Sequence, residues 1–397
     1  MNRRQFIGGC SACAAMAASQ AALMRASLAD GLNLAPELPP GYRPDGDSTE
    51  AGLWLLTEKF EDQLRTSSLV IRDDNLKTYL TELACRLGHN HCRDMRVYPM
   101  RIPYFNASMA ANGMMQVWSG LMLRVSSEAQ LAAVIGHEMG HYLRRHTIKG
   151  WENARDTMNA LSFLTVGLTA AGAGYQTVNI VQLAGYGLIF SYSRDMEREA
   201  DAYGVQLMHK ANYNPWEASK VWRRLIAERD AAKYKRQDNP FFATHPSEAE
   251  RAQTLANYAS ELGYSETQPS FETGSFEKII GQHRAMMLED ELKLRHFNRT
   301  ALILDWLIED GFRLGETYYY QGEMFRLRNQ EGDEARAKAA YQAALRHDTA
   351  PPEAHRALGF IQLKSGDRAT ASRSFRRYLE LKPDATDRAM ISSYIGG

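Results

Sequence analysis

The sequence predicts an α+β chain that is mostly α: a first domain with a small edge sheet, then an all-α stretch of repeated helix pairs. Apolar residues recur at three- and four-residue intervals over most of the chain, which is the period of helices with one buried face. Strand-like runs are short and confined to Arg96–Met100 and Met115–Trp118. Near the C-terminus, small and aromatic residues repeat about 34 residues apart. With 397 residues, 44% hydrophobic and 24% charged, the chain suits two or three folded domains. Lys plus Arg and Asp plus Glu both total 47, so the zero formal charge gives no electrostatic case for nucleic acid, and no nucleic-acid partner is expected.

Residues 1–29 read as an export signal: Arg3-Arg4, a weakly apolar run from Phe6 to Met24, and Ser27-Leu28-Ala29 before Asp30. Arg3-Arg4-Gln5-Phe6-Ile7 resembles a twin-arginine signal, with Sec export the alternative. An exported, periplasmic protein is expected. Residues 30–49 form an extended arm, since Leu32 to Asp47 contains four prolines and two glycines. Helices follow over Glu50–Arg65 and Asp74–Leu87, the second ended by Gly88. Once Cys10 and Cys13 leave with the signal, Cys85 and Cys92 remain as an even pair in an oxidising compartment. A short-loop disulfide is expected. Two unpaired thiols are the alternative, because spacing alone does not bring the Cα atoms together. The two short strands should flank the next helix, with Met109, Met114 and Met115 lining pockets or filling the core.

That helix, read over Ser126–Thr147, carries His137-Glu138-Met139-Gly140-His141. Ser127 and Gln130 have capping-box spacing, and Leu131, Val134, Ile135, Met139 and Leu143 mark a buried face. Residues four apart stand one above the other, so both imidazoles reach one metal ion with Glu138 beside it: the zinc-hydrolase pattern HExxH. Downstream, Glu197 and Asp201 share a helical face, whereas Glu199 points elsewhere and is expected in solvent. Glu197 is the expected third ligand, and Asp201 the carboxylate that fixes a ligand histidine's tautomer. A charged surface helix is the plainer reading of that segment taken alone.

HEMGH followed by Ser193-Arg194-Asp195-Met196-Glu197-Arg198-Glu199-Ala200-Asp201 resembles the HtpX/BepA-like zinc metallopeptidases, relatives of the CAAX prenyl endopeptidases. Further matches are Asn106-Ala107-Ser108-Met109-Ala110 with Asn112-Gly113, Ser119-Gly120-Leu121-Met122, Ala211-Asn212-Tyr213-Asn214-Pro215 and His245-Pro246-Ser247-Glu248-Ala249-Glu250-Arg251. Asn212 departs from the family's usual glycine. The resemblance implies a zincin-type metallopeptidase domain over residues 50–265, holding one Zn2+ per chain on His137, His141 and Glu197. It implies Glu138 as general base and the backbone of Asn106, Ala107, Ser108, Met109 and Ala110 as the strand that pairs with an extended substrate. It also brings His245 and Arg251 to the cleft, where either could stabilise an oxyanion, or His245 could itself ligate zinc and hold the enzyme latent.

Thr157 to Ser193 lacks Asp, Glu, Lys, Arg and His, but Gly172, Gly174 and Asn179 interrupt it. Two short apolar helices that cover the cleft or touch a membrane surface are expected, with a bilayer hairpin or a core hairpin as alternatives. Pro215–Lys235 reads as a helix, and another begins near Ser247, which has capping-box spacing to Glu250. Residues 266–275 are expected as a linker, and 276–397 as a helical domain. There Leu358-Gly359, Ala371, Phe375, Tyr378 and Pro383 have tetratricopeptide-repeat offsets, and Ala337, Tyr341 and Ala344 match them one period earlier, with Gly322 as the earlier glycine. Phe276–Asp310 and Asp387–Ile395 should pack or cap a TPR-like solenoid that binds peptides or a protein partner. Two functional classes follow. One is an exported endopeptidase acting on unfolded or misassembled envelope proteins; the other is a scaffold for envelope complexes whose zinc site is latent.

Overall fold

A computed structural model describes residues 34, 36–150, 192–232, 241, 245 and 249–395. The export signal, the apolar run 157–191 and the Ser247 cap lie outside the described residues. The chain divides into two compact units, Met1–Ile226 with Lys235–Ser275, and Ala227–Tyr234 with Phe276–Gly397.

In the first unit the helix starts follow their caps. α1, Thr49–Thr66, begins where the Ser48 side chain accepts from Ala51 N, and it buries Leu53, Trp54, Phe60 and Leu64. α2, Asp74–Gly88, is capped by Asp73 and buries Leu76, Leu80, Leu83 and Ala84. Its chain turns at His89 (φ 39°), and Cys85 is disulfide-bonded to Cys92 with the Cα atoms 4.5 Å apart. The short strands come next: β1, Arg96–Met100; β2, Ala107–Met109; and β3, Met114–Trp118. Their order is β1-β3-β2, with β1 parallel and β2 antiparallel to β3. Residues 69–71 bond along the outer side of β1, leaving β2 as the open edge. Met109, Met114 and Met115 are buried, so they fill the core.

A buried carboxylate ties this sheet to α1. Glu61 accepts hydrogen bonds from Arg96 (2.7 Å at both oxygens), Tyr98 Oη (2.7 Å) and Asn112 Nδ2 (3.0 Å). Burial alone would raise this carboxyl, but those donors hold it down at about 2, against 4.5 for a free glutamate. Its folded pKa is depressed, so its stabilisation is complete above 4.5 and fades as the pH falls from 4.5 to about 2. Glu61→Ala should therefore cost about 3 kcal/mol near neutrality, because it leaves Arg96 without its buried partner. Thermal or urea unfolding across that pH window should show the gap between wild type and variant closing as acid protonates Glu61; a gap independent of pH would contradict the assignment.

α3, Ser119–Arg124, follows β3 directly and leads to α4, Glu128–Leu143. Ser127 caps α4 by accepting from Gln130 N, and Gln130 Oε1 accepts from Ser126 N, one residue before the expected cap partner. The helix stops at Leu143, short of the expected Thr147, because Arg145 takes a left-handed conformation (φ 58°). α4 is buried on every side, not along one stripe. α5, Arg194–Lys210, is capped by Ser193; α6, Trp216–Ala232, and α7, Ala249–Glu261, follow.

The extended arm and the stretch 266–275 are both pinned to this unit. In the N-terminal arm, Leu38 is buried and Glu37 N donates to Leu143 O. In the expected linker 266–275, the Glu272 carboxylate accepts from Glu128 N (3.1 Å) and Ala129 N (3.3 Å), a negative charge at the positive end of α4. Asn214 Nδ2 also donates to Ser265 O and Gln268 O. The polar, turn-rich composition of this stretch supplies caps for its neighbours instead of slack.

The second unit is all helix: α8, Phe276–Lys293; α9, Phe297–Glu309; α10, Leu314–Arg328; α11, Asp333–Ala344; α12, Glu353–Lys364; α13, Arg368–Leu381; and α14, Arg388–Ile395. α10 pairs with α11 by setting Gly322 under the Tyr341 ring, where an added Cβ would come within 2.4 Å. α12 pairs with α13 the same way, Gly359 under Phe375 at 2.5 Å. Ala337, Tyr341 and Ala344 occupy one buried cluster; Ala371, Phe375 and Tyr378 occupy the next, which Ile391 of α14 closes. No helix of the described residues is long and apolar enough to cross a membrane.

Candidate metal centre

The site is built where α4 crosses α5 at close range. A Cβ on Gly140 would lie 2.9 Å from Ala200 O, and one on Gly204 would lie 3.0 Å from His137 N. Only glycine lets the backbones approach this closely, so the Gly140 inside the HEMGH motif sets how near Glu197 comes to the two histidines.

The resulting distances are short. His137 Nε2 lies 3.1 Å from His141 Nε2 and 3.6 Å from Glu197 Oε2, and His141 Nε2 lies 3.4 Å from Glu197 Oε1. His245 joins them, its Nδ1 3.3 Å from His137 Nε2 and 2.9 Å from Glu197 Oε1. One donor atom from each of the four residues falls within 4.8 Å of all the others. Donors about 2.0–2.1 Å from a tetrahedral zinc stand about 3.3 Å from one another, so these separations suit one ion of that size. Protonation suits it too. Burial holds His141 well below the usual histidine range, so it is neutral. Burial would raise Glu197, but His245 and Arg251 hold it well below the carboxylate range, so it is charged. Burial lowers His245; Glu197 and Glu138 outweigh it, and the same carboxylates favour any cation placed among them.

Around these donors, each further sequence-predicted residue has a definite place. Glu138 is buried, its carboxyl raised by burial, and its Oε1 has no hydrogen-bond partner while lying 3.4 Å from His245 Nε2. Asp201 Oδ1 accepts from His137 Nδ1 at 2.9 Å, which turns Nε2 of that ring towards the other donors. Arg251 donates to both Asp201 oxygens (2.8 and 2.7 Å) and to Glu197 Oε2, lying over the Trp222 ring at 3.8 Å. Its guanidinium thus braces the two carboxylates beside the donors. On β2, the bonds Asn106 O to Trp118 N and Ala110 N to Met114 O alternate with the register. Asn106, Ser108 and Ala110 therefore face β3, and the backbone groups of Ala107 and Met109 aim out from the sheet edge.

Glu199 is not left to solvent. It accepts from Arg144 Nε (2.6 Å) and from His146 Nε2 (2.9 Å). His146 and two aromatic rings escaped the sequence reading. Tyr192 stacks on His141 (3.7 Å, 17°) and Phe241 on His245 (4.5 Å, 23°). A histidine five residues past His141 was the available signal, but a continuous helix would have carried it off the His141 face. The aromatic partners depend on chain segments far apart in sequence and left no local pattern.

The model of Peptidase family M48 matches residues 71–259, the span that contains every donor above. Metalloprotease LoiP of Escherichia coli (strain K12) is 33% identical over 190 residues, 46% of this chain and 71% of that protein. The beta-barrel assembly-enhancing protease of the same organism is 26% identical over 211 residues, 50% of this chain and 42% of that protein. A Vibrio cholerae relative is 25% identical over 267 residues, 65% of this chain and 54% of its own length. The chain thus spans about half the length of these last two relatives. With the motif order, the clustered donors and this similarity together, the chain belongs to peptidase family M48.

Proposed function

We propose that this chain is a zinc-dependent endopeptidase whose site is His137, His141 and Glu197 as ligands, Glu138 as general base, and His245 as a displaceable fourth donor. The observation that carries this reading is the buried Glu138 Oε1 without a hydrogen-bond partner, set beside four clustered donors. Zinc, when bound, acts as a Lewis acid on water and on the scissile carbonyl. Glu138 takes the proton of the attacking water and returns it to the leaving amine. The outward backbone groups of Ala107 and Met109 hold the substrate as an added strand, which selects extended, unfolded chain over particular side chains.

The substrates on this reading are unfolded or misassembled envelope proteins. Two features support that: the signal-like residues 1–29, and similarity to a protein named for enhancing β-barrel assembly. The helix pairs of the second unit, with glycine set under an aromatic ring in each, support TPR-like repeats that bind substrate or an envelope partner. A periplasmic location, with membrane-surface contact through 157–193, belongs to the same proposal. A second reading, a largely latent assembly scaffold, is favoured by one observation: His245 already stands among the donors, 2.9 Å from Glu197. Digestion of unfolded casein by the zinc-loaded mature chain, beside its Glu138→Gln and His245→Ala variants, tests both. Cleavage by the wild type that Glu138→Gln abolishes supports the peptidase, and cleavage only after His245→Ala supports latency. No cleavage by any of them contradicts the peptidase reading.

A further inference from the structure

Among the described residues the outer nitrogen of His141 meets an imidazole and not a carboxylate. His137 meets Asp201 directly, but the outer nitrogen of His141, Nδ1, lies 2.9 Å from Nδ1 of a third imidazole, His146. The other nitrogen of that ring, Nε2, lies 2.9 Å from Glu199 Oε2. Arg144 in turn donates to Glu199 Oε1 at 2.6 Å. His141 and His146 are both 0% exposed, so water does not compete for the contact between the two rings. The chain reaches this arrangement because Arg145 adopts φ 58° and ends α4, turning His146 back over the helix it has just left.

With both imidazoles neutral, proton placement along this row has one solution. Glu199 is an acceptor only, so His146 carries its proton on Nε2 and donates it there. His146 Nδ1 is then a lone pair, and the hydrogen bond to it requires the proton of neutral His141 to sit on Nδ1. His141 Nε2 is thereby left as a lone pair, and Nε2 is the atom that faces His137 and Glu197. We propose that His146 and Glu199 form a two-step relay that fixes the His141 tautomer and aims its Nε2 at the metal, with Arg144 and Arg145 holding the relay in place. His146 is a positioning residue: it works one imidazole removed from the donors, as Asp201 does for His137 with no intermediary.

This inference rests on the metal-centre reading, and its test separates the two. Zinc affinity is measured by chelator competition on the mature chain and on His146→Leu, His146→Gln and Glu199→Ala, each checked for its fold by circular dichroism. Gln presents one acceptor and one donor in the order His146 does, whereas Leu presents neither. His146→Leu and Glu199→Ala should weaken zinc about 10- to 100-fold, and His146→Gln should recover most of that loss. Folded His146→Leu with wild-type affinity, or His146→Gln no better than His146→Leu, overturns the relay alone. A wild type that binds no zinc overturns the metal centre and the relay together.

Discussion

Glu138→Gln is expected to cut turnover on unfolded protein by about two to four powers of ten, the usual contribution of a positioned general base, while leaving fold and zinc content unchanged. Gln matches Glu in shape, but its amide cannot take up a proton. The position is buried, and the one oxygen without a partner faces His245 and the donors. Burial also raises the Glu138 carboxyl, and a base drawn nearer to working pH returns its proton more readily. Because Glu138 is not among the four clustered donors, its loss leaves the metal in place. Steady-state cleavage of casein, normalised to bound zinc, checks it. Turnover within a few-fold of wild type would remove Glu138 from the chemistry.

His245→Ala is expected to move activity the other way, raising cleavage about tenfold or more. A catalytic zinc keeps one position open for water and substrate, and a fourth protein donor closes it. His245 stands where such a donor would, with Nδ1 3.3 Å from His137 Nε2 and its ring stacked on Phe241. Removing it converts a closed four-donor site into an open three-donor one, and the closed fraction no longer subtracts from activity. If His245 served instead as an oxyanion donor, the same change would lower turnover by about two or three powers of ten. The sign of the change therefore decides between lock and catalyst, and an unchanged rate contradicts both.

Much of this was legible in the sequence where local chemistry decides. Ser127 caps its helix by side-chain acceptance as its spacing to Gln130 suggests, β1 has the bounds its pattern gives, and the i, i+4 spacing of His137 and His141 places both rings together. Failures came where a residue answers to a distant partner. Glu199 reads as a surface charge on its own helix, yet it serves His146 beyond the end of another. The resemblance brings Arg251 to the cleft, and what the sequence did not show is that two buried carboxylates, Asp201 and Glu197, hold it there. Residues 266–275 read as a linker, and the compact units divide at their end; their composition does not show that Glu272 caps the helix that bears the histidines. The Arg145 break that returns His146 to the site is a backbone conformation that apolar periodicity does not encode.

The proposed function requires one zinc on His137, His141 and Glu197. Elemental analysis of the purified chain by mass spectrometry, with Glu197→Ala prepared in parallel and both challenged by a chelator, checks this. One zinc per wild-type chain is expected, and loss of stoichiometric zinc from the variant, with His141→Ala behaving alike. Full zinc occupancy in Glu197→Ala, held against chelator as tightly as in wild type, would contradict it.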